Sequence, residues 1–366
     1  MPDYDVIVVG GGTVGMSIAY GLERLGKKTA VFDQGDDAIR AAVGNFGLVW
    51  VQGKGIGSPE YADWTRRSAE LWEQYGKELQ EQSGIDIAYS RSGGFHFCLS
   101  DEELESRTSQ MSQLAEESEG DFSYEMLDRH SLLERLPAIG PEVKGASYSP
   151  LDGHVNPLLL LRALHVAFKS KGGDLLVESV LDITFDDSVF TVSSTSYVKT
   201  ATQVVLAAGL GSEKLAPKLG LTTPLYPQRG QILVTEKTAP FLDYPTSLIR
   251  QTGDGSVLLG DSHEDVGFDT GTSSGVMHDI AQRACDIFPY LEKLRIVRAW
   301  GALRIMSPDG LPIYDQSTQY PGAFTATCHS GVTLSAAHAL DFASFIREGE
   351  LPFSLEKFSE RRFYVH

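Results

Sequence analysis

The chain has 366 residues, 42% of them hydrophobic and 22% charged, with a formal net charge of −18. That length suits two domains or one large composite one, and the composition is ordinary for a soluble globular protein. The acidic surplus argues against a phosphate-backbone partner, so no nucleic acid is expected, and a solvated acidic surface is its default reading. No apolar run approaches a bilayer span: the longest candidate, Pro157 to Phe168, contains Arg162 and His165. Nothing at the start reads as a secretory signal. Cys98, Cys285 and Cys328 lie far apart and match no disulfide framework, zinc pattern or iron–sulfur spacing. No metal site is expected, and the expected compartment is the reducing cytoplasm.

Asp5 to Val9 is a short β-branched run, as a strand covered on both faces requires. Gly10, Gly12 and Gly15 follow as G-x-G-x-x-G around Thr13 and Val14. The first glycine allows the turn, the second lets a pyrophosphate touch the backbone, and the third lets helix and strand pack closely. Val14, Ile18, Leu22 and Leu25 then share one helical face, and Gly26 stops the helix. A second strand, Lys28 to Phe32, ends in Asp33, placed to accept hydrogen bonds from a ribose, with Gln34 beside it. Strand, turn, helix, strand and acid in register predict a dinucleotide site; a plain glycine-rich turn is the alternative. The stretch Ala41 to Gly55 is apolar yet dense in glycine. Ala41, Ala42, Gly44 and Gly47 would let backbone approach a ligand, with Asn45 adding a polar contact, or else the segment is a packed turn.

Ser58-Pro59 predicts a helix start with Ser58 as cap, running to about Ser83, with Trp64, Leu71, Trp72, Tyr75 and Leu79 on a buried stripe. Gly93 to Leu99 alternates like a strand, and Ser100-Asp-Glu-Glu103 forms a capping box for a polar helix. Asn156-Pro157 opens a helix ending near Lys171. Short strands follow at 174–177, 181–185 and 189–194. Gln203 to Gly209 reads as a strand entering a helix capped by Ser212. From Pro227 to Leu303 the chain is mostly strand-like with one helix near His278 to Phe288, and Pro321 to Arg347 is again strand, glycine turn and helix. The alternating textures predict an α/β fold: a Rossmann-like layer from 1–84, 145–220 and 304–366, interleaved with a mixed-sheet α+β substrate domain from 85–144 and 221–303.

The fingerprint occurs once and does not by itself separate FAD from NAD. Other segments do. The first fingerprint with Asp33, the Ala41-to-Leu48 loop, Gly145 to Pro157 and Val204-Val-Leu-Ala-Ala-Gly209 come in the family order of the D-amino-acid oxidase family. So do Gln228-Arg-Gly-Gln231, Gly260 to Phe268, Trp300-Gly-Ala-Leu-Arg304 with Pro308 to Pro312, and Cys328-His-Ser-Gly-Val-Thr333. The chain resembles these FAD-dependent amine oxidoreductases over essentially its full length. Within the family, Gly44 to Gly55 and Gly94 to Leu99 are most similar to the β subunits of opine oxidases, which oxidise octopine and nopaline.

The resemblance implies FAD as cofactor. Gly10, Gly12, Gly15 and Asp33 would hold pyrophosphate and adenosine ribose. Ala42, Asn45, Gly47 and Leu48 would lie along diphosphate and isoalloxazine, and Val180 would meet the adenine. Gly209 would be a close-approach glycine. Ser330, Gly331, Val332, Thr333 and Leu334 would bring a helix N-terminus to the flavin, where the dipole offsets negative charge on the reduced ring. Arg304 would clamp a substrate carboxylate, a task suited to a guanidinium fork; the alternative is a structural arginine paired with Asp309 or the like. His263, His329 and Tyr226 are pocket candidates that also read as structural or peripheral. Hydride transfer depends on orientation over the ring, so no general base is assigned. The implied reaction is C–N oxidation of a carboxylate-bearing small-molecule amine. The implied partners are an α subunit and an iron–sulfur subunit. A D-amino-acid, D-hydroxyproline or glycine dehydrogenase or oxidase, and a non-catalytic flavin relay, are the alternatives.

Overall fold

The structure is a computed structural model that describes residues 1–35 and 41–364. Tyr4–Val9 lies at the centre of its largest sheet, joined by parallel ladders to Thr29–Asp33 on one side and Val198–Leu206 on the other. Asp174–Val177 and Ala323–Thr327 extend it in parallel, Ile313–Gln316 closes one edge antiparallel, and the hairpin Asp182–Asp186 with Val189–Ser193 runs off Val198–Leu206. Alternation along the central strand sends its residues into two cores. Val6 and Val8 join the helical one; Ile7 and Val9 join the one under Phe190, Val204 and Leu206.

Helix Thr13–Arg24 packs against Pro157–Ser170 and against the helical run Ser335–Glu348. Gly21 makes the second contact possible, since a Cβ there would stand 2.1 Å from the Ala339 carbonyl oxygen. Pro59–Ser83 is the helix expected from its aromatic stripe, with Trp72, Tyr75 and Leu79 fully buried while Trp64 and Leu71 are only partly so. Its start differs from expectation. Ser58 occupies the cap position, but the Ser58 carbonyl already takes the N–H groups of Tyr61 and Ala62 at 3.0 and 3.1 Å, and the hydroxyl has no partner among the described residues. Ser100 and Asn156 do cap their helices through their side chains. Ser212 does not: the chain turns first through the 3-10 segment Gly209–Gly211, so the cap falls on Gly211.

The second layer holds a four-stranded antiparallel sheet in the order Ile249–Gln251, Val257–Leu259, Tyr226–Thr235, Ile296–Met306. Beside it is a three-stranded sheet, Gly94–Cys98, Gly145–Ser149 and Glu125–Asp128. Phe95 ties them, donating to the Pro245 carbonyl and accepting from the Ser247 N–H, each at 3.1 Å. Both share a core of Phe95, Phe97, Ile249, Leu259 and Phe288. This is the expected combination of a Rossmann-like layer with an interleaved α+β region, except that the paired strands of the second layer run antiparallel rather than as mixed sheets. Gly145–Ser149 and Arg304–Met306 both pair within the second layer, so we propose crossings near Ser149 and Met306.

Candidate active site

The two layers meet at a cavity of about 1260 Å³, larger than the roughly 300–1,000 Å³ of most small-molecule sites. Its wall includes the glycine turn at one end and residues of the antiparallel sheet at the other. At the turn, Gly10 has φ +114°, and a Cβ there would lie 2.3 Å from the Ala207 carbonyl oxygen. Gly15 is outside the wall; its Cβ would strike the Gly10 carbonyl oxygen at 1.9 Å, so it serves strand–helix packing. Gly12 is the opposite case. It lines the cavity, and a Cβ there would meet no atom within 4 Å, which leaves its backbone open to a ligand. The neighbouring Thr13 hydroxyl is buried and without a partner among the described residues. An open backbone edge, an orphaned hydroxyl and the start of a twelve-residue helix fit a dinucleotide pyrophosphate.

Asp33 carries a second job that the spacing did not reveal. Its Oδ2 accepts from the Gly11 N–H at 2.7 Å and its Oδ1 from the Gly35 N–H at 2.8 Å. The acid therefore braces the turn while facing the cavity with Gln34, Val14, Val180 and Gly209. Ala41, Ala42, Asn45 and Leu48 line the cavity as well. Asn45 Oδ1 accepts from the Gly47 N–H at 2.7 Å, and Gly47, at φ +90°, sits behind the wall against the Val155 carbonyl.

Ser330, Gly331, Val332 and Thr333 line the same space, where a Cβ on Gly331 would lie 3.2 Å from the Val14 side chain, and Leu334 is buried. The Leu334 N–H bonds the Ser330 carbonyl at 2.9 Å, so Ser330 to Leu334 form a hydrogen-bonded turn, and the helix expected to start there begins one turn later, at Ser335 with Leu334 as its cap. Helix Pro59–Ser83 pins this turn: the Ser68 hydroxyl and the Trp72 indole both donate to the Thr333 carbonyl, at 2.7 and 2.9 Å. The aromatic stripe that reads as core is thus also the mount of the cavity wall.

Arg304 lines the sheet end. It crosses Tyr226–Thr235 over Gly230, where a Cβ would lie 2.5 Å from Nη2, so the glycine of Gln228-Arg-Gly-Gln231 makes room for the guanidinium. Nη1 donates to the Ser262 and Arg229 carbonyls at 2.7 and 3.3 Å, and Nη2 donates to Asp261 Oδ2. Asp309, the alternative partner, is bound by Arg362. Of the five guanidinium N–H groups, Nε–H and one on Nη2 have no partner among the described residues. His263 is on the wall but its side chain is 64% exposed, with Nδ1 2.9 Å from Gln228 Oε1. Tyr226 is 40% exposed and outside the wall, at the outer end of its strand opposite Met306.

His329 is on the wall, with Nδ1 3.3 Å from Lys54 Nζ. The charge on Lys54, then burial, hold its imidazole well below its ordinary pKa and neutral. Burial pushes Lys54 down to about 8 and the neighbouring Cys328 thiol up to about 12. Lys54, Asp261, Gly11 and Trp50 also line the site, with no role expected of them from the sequence. The one available signal was a lysine inside an otherwise apolar, glycine-rich loop.

The chain belongs to the DAO family of FAD-dependent oxidoreductases, whose pattern it matches over residues 5–344. It is 44% identical over 365 residues to an opine oxidase subunit from Rhizobium meliloti, covering 99% of this chain and 98% of that one. To the corresponding subunit from Agrobacterium tumefaciens (strain Ach5) it is 43% identical over 370 residues, covering 100% and 99%. The crystal structure of glycine oxidase from Geobacillus kaustophilus superposes with a TM-score of 0.91 at 27% identity, covering 100% of both chains. The protein is therefore an FAD-dependent enzyme, and the expected cofactor is FAD.

Proposed function

We propose that this chain oxidises the C–N bond of a carboxylate-bearing secondary amine, an opine such as octopine or nopaline, as the catalytic subunit of a heteromeric enzyme. The observation that carries the proposal is Arg304, with two N–H groups that have no partner among the described residues, on the wall of the cavity that also holds the glycine turn. A carboxylate taking those donors would anchor the substrate at the sheet end, close to where Ser330 to Thr333 close the space. Gly10, Gly12, Thr13, Asp33 and Gln34 would hold the nucleotide's pyrophosphate and ribose, Val180 and Gly209 its adenine end, and Ala41 to Leu48 the remainder. Bound FAD supplies the acceptor for the hydride that leaves the substrate Cα. The nitrogen lone pair then completes a C=N bond, water adds at that carbon, and C–N cleavage gives an amino acid and a 2-keto acid.

The likeness to two proteins that are each one component of an opine oxidase supports a partner for this chain as well. We propose an α subunit and an iron–sulfur subunit as the electron outlet and a cytoplasmic setting; among the described residues no helix is long and apolar enough to cross a membrane. A flavin relay would have no use for the Arg304 clamp. The likeness to glycine oxidase favours a primary or cyclic amino acid as the second substrate reading.

The test is turnover of the FAD-loaded chain with a dye acceptor and octopine, nopaline, glycine or D-proline, with products identified by mass. Arginine and pyruvate from octopine, in equal amounts, are expected. Turnover of glycine or D-proline alone would overturn the opine assignment.

A further inference from the structure

A secondary amine with carboxylates beside it is an ammonium at neutral pH, and it has no lone pair to expel hydride until one proton leaves. We propose that Lys54 Nζ takes that proton, which makes Lys54 a catalytic residue of the amine oxidation assigned above and rests on that reading. Gly53 and Lys54 both line the cavity, in a loop whose other side is fixed: Asp152 accepts from the Val51 N–H and from Gln52 Nε2, each at 2.6 Å. Trp50 N–H donates to the Thr333 hydroxyl at 3.1 Å, so the loop is tied to the wall that Ser330 to Thr333 form.

The groups facing Lys54 are Cys328 and His329 from that wall, Arg304 from its strand, and Asp261 from the segment that pairs with Arg304; His263 acts through His329. No carboxylate among the described residues lies within salt-bridge distance of Nζ. Burial beside the Arg304 charge lowers Lys54 to about 8, so it is deprotonated within reach of physiological pH. Its neighbours are unsuited to the task. Burial and the Arg304 charge keep His329 weakly basic even with Lys54 neutral, the Cys328 thiol stays protonated, Asp261 is engaged by Arg304, and His263 is exposed and held by Gln228. Bringing an ammonium next to the Arg304 guanidinium also favours handing its proton to the neutral Lys54 amine. The transfer balances: the substrate N–H bond breaks as the Nζ–H bond forms, and the Cα–H electron pair then leaves toward bound FAD.

The test uses the FAD-loaded full-length chain, mixed anaerobically with octopine and with a second N-carboxyalkyl amino acid whose amine is less basic. In the wild type the flavin-reduction rate should rise with pH and level off above about 8 with both substrates. In Lys54→Met it should fall roughly a hundredfold, and its pH limb should move with each substrate's own amine. Added methylamine should restore Lys54→Ala in proportion to free base, whereas methylammonium should not. As a readout apart from turnover, an analogue lacking hydrogen on both carbons beside nitrogen should release one proton on binding the wild type at pH 7, and none on binding Lys54→Met. FAD content and far-UV spectra establish that the variants fold. Opine reduction with an unmoved limb and no amine rescue overturns the role of Lys54 and leaves the opine assignment standing. Reduction by primary amino acids alone, with limb and rescue intact, does the reverse.

Discussion

The two ends of the cavity are built in opposite ways. The nucleotide end is backbone: Gly10, Gly12 and Gly15 act by what they lack, and all of them fall within one strand–turn–helix unit. The sheet end is side chains: Lys54, Asp261, Arg304 and His329 come from four distant segments and meet only when both layers are folded. A backbone cradle tolerates no added atoms, whereas a side-chain cluster can lose a member and keep its shape. The difference sets the ranking of what mutations should do.

The largest effect is expected at the cradle. Gly15→Val would drive atoms into the Gly10 carbonyl, so the purified variant should carry no FAD and lose several kcal/mol of stability; a yellow, fully stable variant would break the contrast. Next is the clamp. Arg304→Ala should cost about 2–5 kcal/mol in kcat/KM, mostly through KM, while the protein retains FAD. Asp261→Asn should lose less, because the guanidinium keeps its bonds to the Ser262 and Arg229 carbonyls. Equal losses would mean that the carboxylate, not the arginine, organises that end.

Asp152 offers a subtler test, since it braces the loop that carries Lys54. Asp152→Ala strands the Val51 N–H and one N–H of Gln52 Nε2, which keeps its bond to the Gly94 carbonyl, and should lower unfolding stability by about 1–3 kcal/mol. Burial raises its carboxyl from 3.8 to about 7. A raised carboxyl means that the folded state holds the extra proton between those values, so its contribution falls as pH rises from about 4 to 7 and is flat above. Asp152→Asn should flatten the slope in that window in denaturant titrations. The smallest effect is expected at Tyr226, which lies outside the wall: Tyr226→Phe should leave kcat/KM within about twofold.

The same contrast explains what was legible in the sequence. The cradle is local, so its period, glycines and terminal acid could be read directly, although the bracing of the turn by Asp33 through Gly11 could not. Arg304 was reachable only through the family resemblance, and its pairing with Asp261 was invisible because the two residues lie on different segments brought together over Gly230. Tyr226 could not be assigned to pocket or periphery from the sequence, because strand register decides which side chains reach the cavity, and it lies outside the wall. Lys54 sits within the Gly44-to-Gly55 stretch yet carried no role, because a lysine between two glycines says nothing of the imidazole and guanidinium it will face.

The central claim is that nucleotide cradle and substrate clamp serve one reaction on this chain. Its most direct test is anaerobic bleaching of the flavin by octopine or nopaline in the purified chain without partners. The account predicts loss of the oxidised flavin absorbance with either opine, abolished at the same concentration in Arg304→Ala. Flavin that stays oxidised in the presence of every carboxylate-bearing amine, with FAD bound, would contradict it.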